Sequence, residues 1–117
     1  MITVVNRRTY TGPWDETVVY VGRPTPLGNP FTHLAVAHTK AEHHVATREE
    51  AISSYRVWLR TALRVPFSEG RVAFQTLVDL RFRHGHLTLV CWCAPLPCHA
   101  HVLAEEVMRW IEGPVHQ

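Results

Sequence analysis

Residues 87–103 read Leu-Thr-Leu-Val-Cys-Trp-Cys-Ala-Pro-Leu-Pro-Cys-His-Ala-His-Val-Leu, and they contain all three cysteines of the chain. Leu87–Trp92 has strand composition, with Leu87, Leu89 and Cys91 on one face and Thr88, Val90 and Trp92 on the other. Apolar character on both faces predicts a central strand, covered on both sides. Pro95 and Pro97 stiffen the loop that follows. His99–Glu112 then carries Val102, Leu103, Val107, Trp110 and Ile111 at helical spacing, ahead of Gly113-Pro114. A strand that turns through a rigid loop into a helix is a ligand-binding unit of α/β proteins, because strand end and helix N-terminus aim at one spot. This stretch makes the chain α/β.

Ile2–Asn6 and Thr17–Val21 also have strand composition. The intervening Arg7–Glu16 contains Gly12-Pro13 and lacks helical periodicity, which predicts a loose hairpin in preference to a parallel crossover. Gly22–Phe31, with three prolines and two glycines, reads as a rigid loop. In Thr32–Ala46 the histidines His33, His38, His43 and His44 do not share a helical face, which predicts a surface loop or a short irregular helix. Thr47 and Glu50 form a capping box for a helix whose stripe is Ala51, Ile52, Tyr55, Trp58, Leu59, Ala62 and Leu63, stopped by Pro66. A shorter helix from Val72 to Phe82 buries Ala73, Leu77 and Leu80 and ends at His84-Gly85-His86.

The expectation is one compact α/β domain over residues 1–117: a small mixed, Rossmann-like sheet of about three or four strands covered by three helices. Thr17–Val21 and Leu87–Trp92 are joined through the long helix, so they are expected parallel, with a right-handed crossover. The Gly22–Phe31 loop and the Cys91–His99 turn would then leave the same edge of the sheet.

Composition limits the possibilities. A chain of 117 residues, 46% hydrophobic and 19% charged, suits one globular domain and excludes a disordered tail. A net charge of +2 is too small to mark a nucleic-acid binder by itself, although the nine histidines would add charge in acid. No run approaches the ~18 apolar residues of a membrane span, and no signal-peptide core is evident at the N-terminus. Three cysteines are an odd count, so reduced thiols in a cytoplasmic setting are expected rather than a disulfide framework.

The cysteines can be read as a zinc site, with Cys91, Cys93, Cys98 and His99 as ligands. Against this, Cys-x-Cys in extended chain separates the Cβ atoms by about 7 Å, whereas zinc needs sulfurs within about 4 Å. Cys91 alone reads as a core residue. Cys98 and His99, at the start of the last helix, are the candidate catalytic pair: a helix N-terminus favours thiolate, and a thiolate is a nucleophile. The same backbone N–H groups can instead hold an anion without reaction. In the proline-glycine loop, Arg23 is the one formal charge, Gly22 and Gly28 permit close approach of a phosphate or base, and Asn29 offers donors and an acceptor. Asn6, Arg7 and Arg8 are further ligand candidates, but a hairpin would place the arginines at the opposite edge. Arg56, Arg60 and Arg64 follow i, i+4, i+8 spacing, a possible basic stripe for nucleic acid.

With these motifs in hand, the chain resembles a domain-of-unknown-function family of small phage and bacterial proteins. The resemblance rests on Val4-Val5-Asn6-x-Arg8, on Tyr20-Val21-Gly22-Arg23-Pro24-x-Pro26-Leu27-Gly28-Asn29-Pro30-Phe31, and on Leu89-Val90-Cys91-Trp92-Cys93-x-Pro95-x-x-Cys98-His99. It departs where Ala100-His101 stands in place of the Gly-Asp that the resemblance implies. The Cys-His turn is also similar to that of a second α/β family. The resemblance carries no assigned reaction; its phage association implies nucleotide or nucleic-acid metabolism.

The function expected is a nucleotide- or nucleoside-derivative-binding protein, with Gly22–Phe31 holding sugar or base and Arg23 with the Cys98–His99 N–H groups holding phosphate. No cofactor is required by this reading. Two alternatives stay open: a thiol-dependent enzyme acting on a nucleotide or modified base, and a zinc-stabilised module that binds nucleic acid or protein. Oligomeric state is open as well.

Overall fold

The computed structural model describes residues 1–32 and 43–113. In chain order the elements are β1 (Ile2–Asn6), β2 (Val18–Tyr20), β3 (Phe31–Thr32), β4 (His43–His44), α1 (Arg48–Leu63), α2 (Glu69–His84), β5 (Leu87–Cys91) and α3 (His99–Glu112). The main sheet has the order β1-β5-β2, and β3 pairs with β4 in a separate two-stranded ribbon. Every pairing is parallel. Among the described residues no helix is long and apolar enough to cross a membrane.

The expected small α/β domain forms, but its sheet is parallel throughout instead of mixed, and β1 and β2 make no hairpin. The reason lies in β5. Leu87, Leu89, Val90 and Cys91 are each at most 1% exposed, so the strand has no face that tolerates water. A β1–β2 hairpin would leave β5 at an edge; inserted between them, it has a neighbour on each side. The half-buried β1 and β2 are the edges instead. Ten linking residues can span about 33 Å, ample to return past a five-residue strand of about 17 Å.

Parallel register has a direct consequence for function. Asn6 sits opposite Cys91, and Tyr20 opposite Val90. The ladder continues past the strand ends, with Arg7 N donating to Cys91 O at 2.7 Å and Val21 N donating to Val90 O at 3.0 Å. All three strands therefore end at one edge, where Arg7, Gly22 and Trp92 emerge side by side.

Helices α2 and α3 cover the sheet, and α1 packs on both of them and on β3. The stripe predicted for α1 forms: Ala51, Tyr55, Leu59 and Leu63 are buried, with Ile52 and Trp58 half-buried against the core. Helix α2 starts three residues before the Val72 expected from periodicity. Ser68 caps it, its Oγ accepting from Arg71 N at 3.1 Å, and Gly85 closes it at φ 78°. Phe74, fully buried, replaces Ala73 as the leading core residue of that helix. Helix α3 has the predicted bounds, with Val102, Leu103 and Val107 buried and Trp110 and Ile111 half-buried. Of Thr32–Ala46, residues 33–42, including His33 and His38, lie outside the described residues; His43–His44 pairs with Phe31–Thr32 as a strand.

Candidate functional site

The Gly22–Phe31 loop is built from its own polar groups. Gly22 O accepts from Thr25 N at 3.0 Å and from Thr25 Oγ1 at 2.6 Å, and Gly28 N donates to Thr25 O at 2.9 Å. The chain then passes so near itself that a Cβ on Gly28 would meet the Arg23 backbone at 2.9 Å, which only glycine avoids. Arg23 Nη1 donates to Asn29 O at 2.7 Å. Asn29 spends both ends of its amide on backbone: Oδ1 accepts from Phe31 N at 2.9 Å and Nδ2 donates to Ala51 O at 3.3 Å. Tyr55 Oη donates to Leu27 O at 2.7 Å. The loop is thereby bolted to α1.

The Cys91–His99 turn is held from the opposite side. Asn6 Nδ2 donates to Trp92 O and Ala94 O, both at 3.0 Å, and Asn6 Oδ1 accepts from Arg8 N at 2.8 Å. At the end of the turn Cys98 is the N-cap of α3, and its N–H donates to His101 Nδ1 at 3.1 Å. His101, standing where the resemblance leads one to expect aspartate, thus satisfies a helix-terminal donor as a carboxylate would.

His99 joins the two loops. Its Nε2 donates to Val21 O at 2.7 Å, and its ring lies edge-on to Tyr55 at 5.1 Å between centroids. A carbonyl partner requires the proton on Nε2 and leaves Nδ1 without one. Burial pulls the imidazole down to about 4, and the Arg23 charge acts in the same direction against the Val21 carbonyl. His99 is a neutral tie between loops at physiological pH.

All three cysteines are free, and their roles differ from those expected. Cys98 Sγ donates to Cys91 Sγ at 3.4 Å. Hydrogen bonds donated to Cys91 and Cys93, followed by burial, push the Cys98 thiol far above its ordinary range. The helix N-terminus was expected to ionise Cys98; inward orientation and its donor role overturn that expectation. Cys93 moves the other way, to about 5, because the neighbouring Cys98 thiol and the Arg48 and Arg23 guanidiniums outweigh its partial burial. The chain leaves extended geometry after Cys91, so the separation argued for a straight Cys-x-Cys does not apply. Among the described residues no group of three or more His, Cys, Asp or Glu is arranged to hold a metal ion, and His99 Nε2 is directed at Val21 O.

A cavity of about 750 Å³ opens between the two loops. Gly22, Arg23, Asn29, Cys98 and His99 all line it, so the structure brings the proline-glycine loop and the Cys-His turn to one pocket. Gly28, Asn6 and Arg8 do not line it. Gly28 and Asn6 shape the two loops, and Arg8 contributes a backbone N–H to Asn6. Sequence reasoning placed Arg7 at the far edge; because β1 is parallel, it stands on the pocket wall. Its guanidinium lies 5.0 Å from the Tyr20 ring centroid and 5.8 Å from that of Trp92. Trp92 Nε1 donates to Tyr20 Oη at 2.9 Å, and Tyr20 Oη donates to Arg23 O at 2.8 Å. A further wall residue, Arg48, was missed, whereas Phe31 closes the loop that was expected there. Arg48 is the first residue of α1, and Phe31 starts β3. The Thr47 cap located the start of α1 in sequence but not in space. Arg56 pairs with Glu105 at 3.1 Å and is not on this wall.

No curated protein and no solved structure gives a significant match to the chain. A family model described as a domain of unknown function (DUF4326) matches residues 4–109. That span runs from β1 through both loops to the last turns of α3, and the chain belongs to this family.

Proposed function

We propose that the cavity binds a nucleotide or nucleoside derivative. The observation that carries this reading is the makeup of the wall: Arg7, Arg23 and Arg48 line it, and no Asp or Glu does so among the described residues. The ion pairs among the described residues are Arg56–Glu105 and His84–Glu16, so none of the three pocket arginines has a carboxylate partner there. Three guanidiniums against a single Cys93 thiolate leave this concave site with net positive charge, which favours an anion, and Arg suits phosphate geometry in particular. The first turns of α1 and α3 both contribute to the wall, adding the positive ends of two helices.

The remaining wall suits a ring. Trp92 is 52% exposed and Leu96 53% exposed at the cavity, both large apolar groups open to a ligand. Phe31 and Tyr20 add aromatic surface. The volume falls within the ~300–1,000 Å³ typical of small-molecule pockets. In this reading a base stacks on the aromatic side while phosphate lies against Arg7 and Arg48. Arg23 contributes charge while its Nη1 holds the loop closed. Such a pocket would sequester or process a nucleotide, in a phage or mobile-element setting and in the cytoplasm.

Calorimetric titration with a nucleoside, its monophosphate and its triphosphate tests the reading. Affinity should rise with each phosphate, and triphosphate binding should weaken as salt is raised, since ion pairing is screened. Equal affinity for nucleoside and triphosphate, or no heat from any of them at millimolar ligand, would refute it.

A further inference from the structure

We propose that Cys93 is the covalent nucleophile of this pocket, acting on an anionic substrate that carries an electrophilic carbon. The proposal rests on the anion pocket argued above, but its test uses no nucleotide.

Access separates the three thiols. Cys91 is 0% exposed and Cys98 4% exposed, whereas Cys93 is half-buried and stands on the cavity wall. Charge points to the same atom. Arg48 and Arg23 stand on the same wall and their charges lower the Cys93 thiol, so cations that would hold a substrate's phosphate or carboxylate also stabilise thiolate. Cys98 sits behind, its one S–H donated to Cys91 at 3.4 Å. A thiolate kept ionised by neighbouring guanidiniums needs no separate base.

The step balances without a co-reactant. A Cys93 Sγ lone pair forms the S–C bond, the bond from that carbon to its leaving group breaks, and the leaving group departs with the bonding pair. No proton moves, because Cys93 is already ionised and Cys98 keeps its own.

Alkylation of the intact protein by iodoacetate and by iodoacetamide, mapped by peptide mass spectrometry, tests this. In both reactions the thiolate displaces iodide. Small free thiols favour the neutral reagent; beside these arginines the anionic one should react faster by about tenfold or more. Label should fall on Cys93, with a half-maximal rate near pH 5. Arg48→Gln should move that midpoint upward by roughly one unit or more. Label on Cys98 or Cys91, a midpoint at about pH 8 or above, or preference for the neutral reagent would overturn the proposal. If that variant does not fold, the wild-type map, pH profile and reagent preference decide. Failure of nucleotides to bind with Cys93 still alkylated as described would remove only the nucleotide reading.

Discussion

Replacing Arg7 and Arg48 together by glutamine should weaken binding of a nucleoside triphosphate by roughly 100-fold or more, with the fold intact. Each charged hydrogen bond to phosphate contributes about 1.5–3 kcal/mol, and the two positions sit on different elements. Arg7 is held in place before any ligand arrives, its guanidinium within 5.0–6.0 Å of the Tyr20, Trp92 and Trp14 ring centroids. Pre-organisation of this kind lowers the entropy lost on binding. Glutamine keeps a donor and much of the length while removing the charge, so the comparison isolates electrostatics. Arg23 is left alone because its loss would open the loop it closes onto Asn29. Arg56→Gln, which breaks only the exposed pair with Glu105, is the control and should leave affinity unchanged. Titration calorimetry with circular dichroism of each variant checks the result; an unchanged affinity in the double variant would remove the arginines from the site.

Acidification should cost the protein roughly 3 kcal/mol of stability through His99 alone. The imidazole titrates at about 4 when folded, against an ordinary 6.5. Between these values the unfolded chain binds more protons than the folded one, so stability falls as pH drops from about 6.5 to about 4 and then levels. Above that window the contribution is complete. His99→Gln can still donate to Val21 O but does not titrate, so its stability should change less over the same range. Urea unfolding of both proteins from pH 7 to pH 4 measures the difference, which cancels the carboxylates common to the two. Parallel losses would show that His99 is not the buried neutral tie between the loops.

The elements legible in the sequence were those whose residues carry their own instructions. Strand β5 announced its central place through apolar side chains on both faces, and α3 through the proline-braced Cys98-His99 start and an apolar stripe. The pocket edge followed once Thr17–Val21, joined to β5 through the long helix, was taken as parallel to it. What stayed hidden depended on partners distant in sequence. Nothing in Arg7–Glu16 states that β5 will insert between β1 and β2, and with the hairpin assumed, Arg7 was sent to the far edge. Arg48 carries no motif; it reaches the wall because Asn29 ties the loop to Ala51 and β3 brings α1 alongside. The order of thiol acidities was inverted for a related reason. A helix N-terminus acts on Cys98 locally, but the orientation of its Sγ toward Cys91 and Cys93 is tertiary, and the hydrogen bonds win. The start of α2 was readable: Ser68 followed by Glu69 is an N-cap signal that the apolar period alone does not include.

Ligand should enter between the proline-glycine loop and the Cys-His turn. Tryptophan indole N–H resonances report on it directly, since Trp92 lies on the cavity wall while Trp110 packs against Phe74 and Arg71 away from it. Titrating a nucleoside triphosphate into ¹⁵N-labelled protein should move the Trp92 indole signal in a saturable way and leave that of Trp110 in place. A saturable shift of Trp110 with Trp92 unmoved would put the ligand elsewhere and contradict the account.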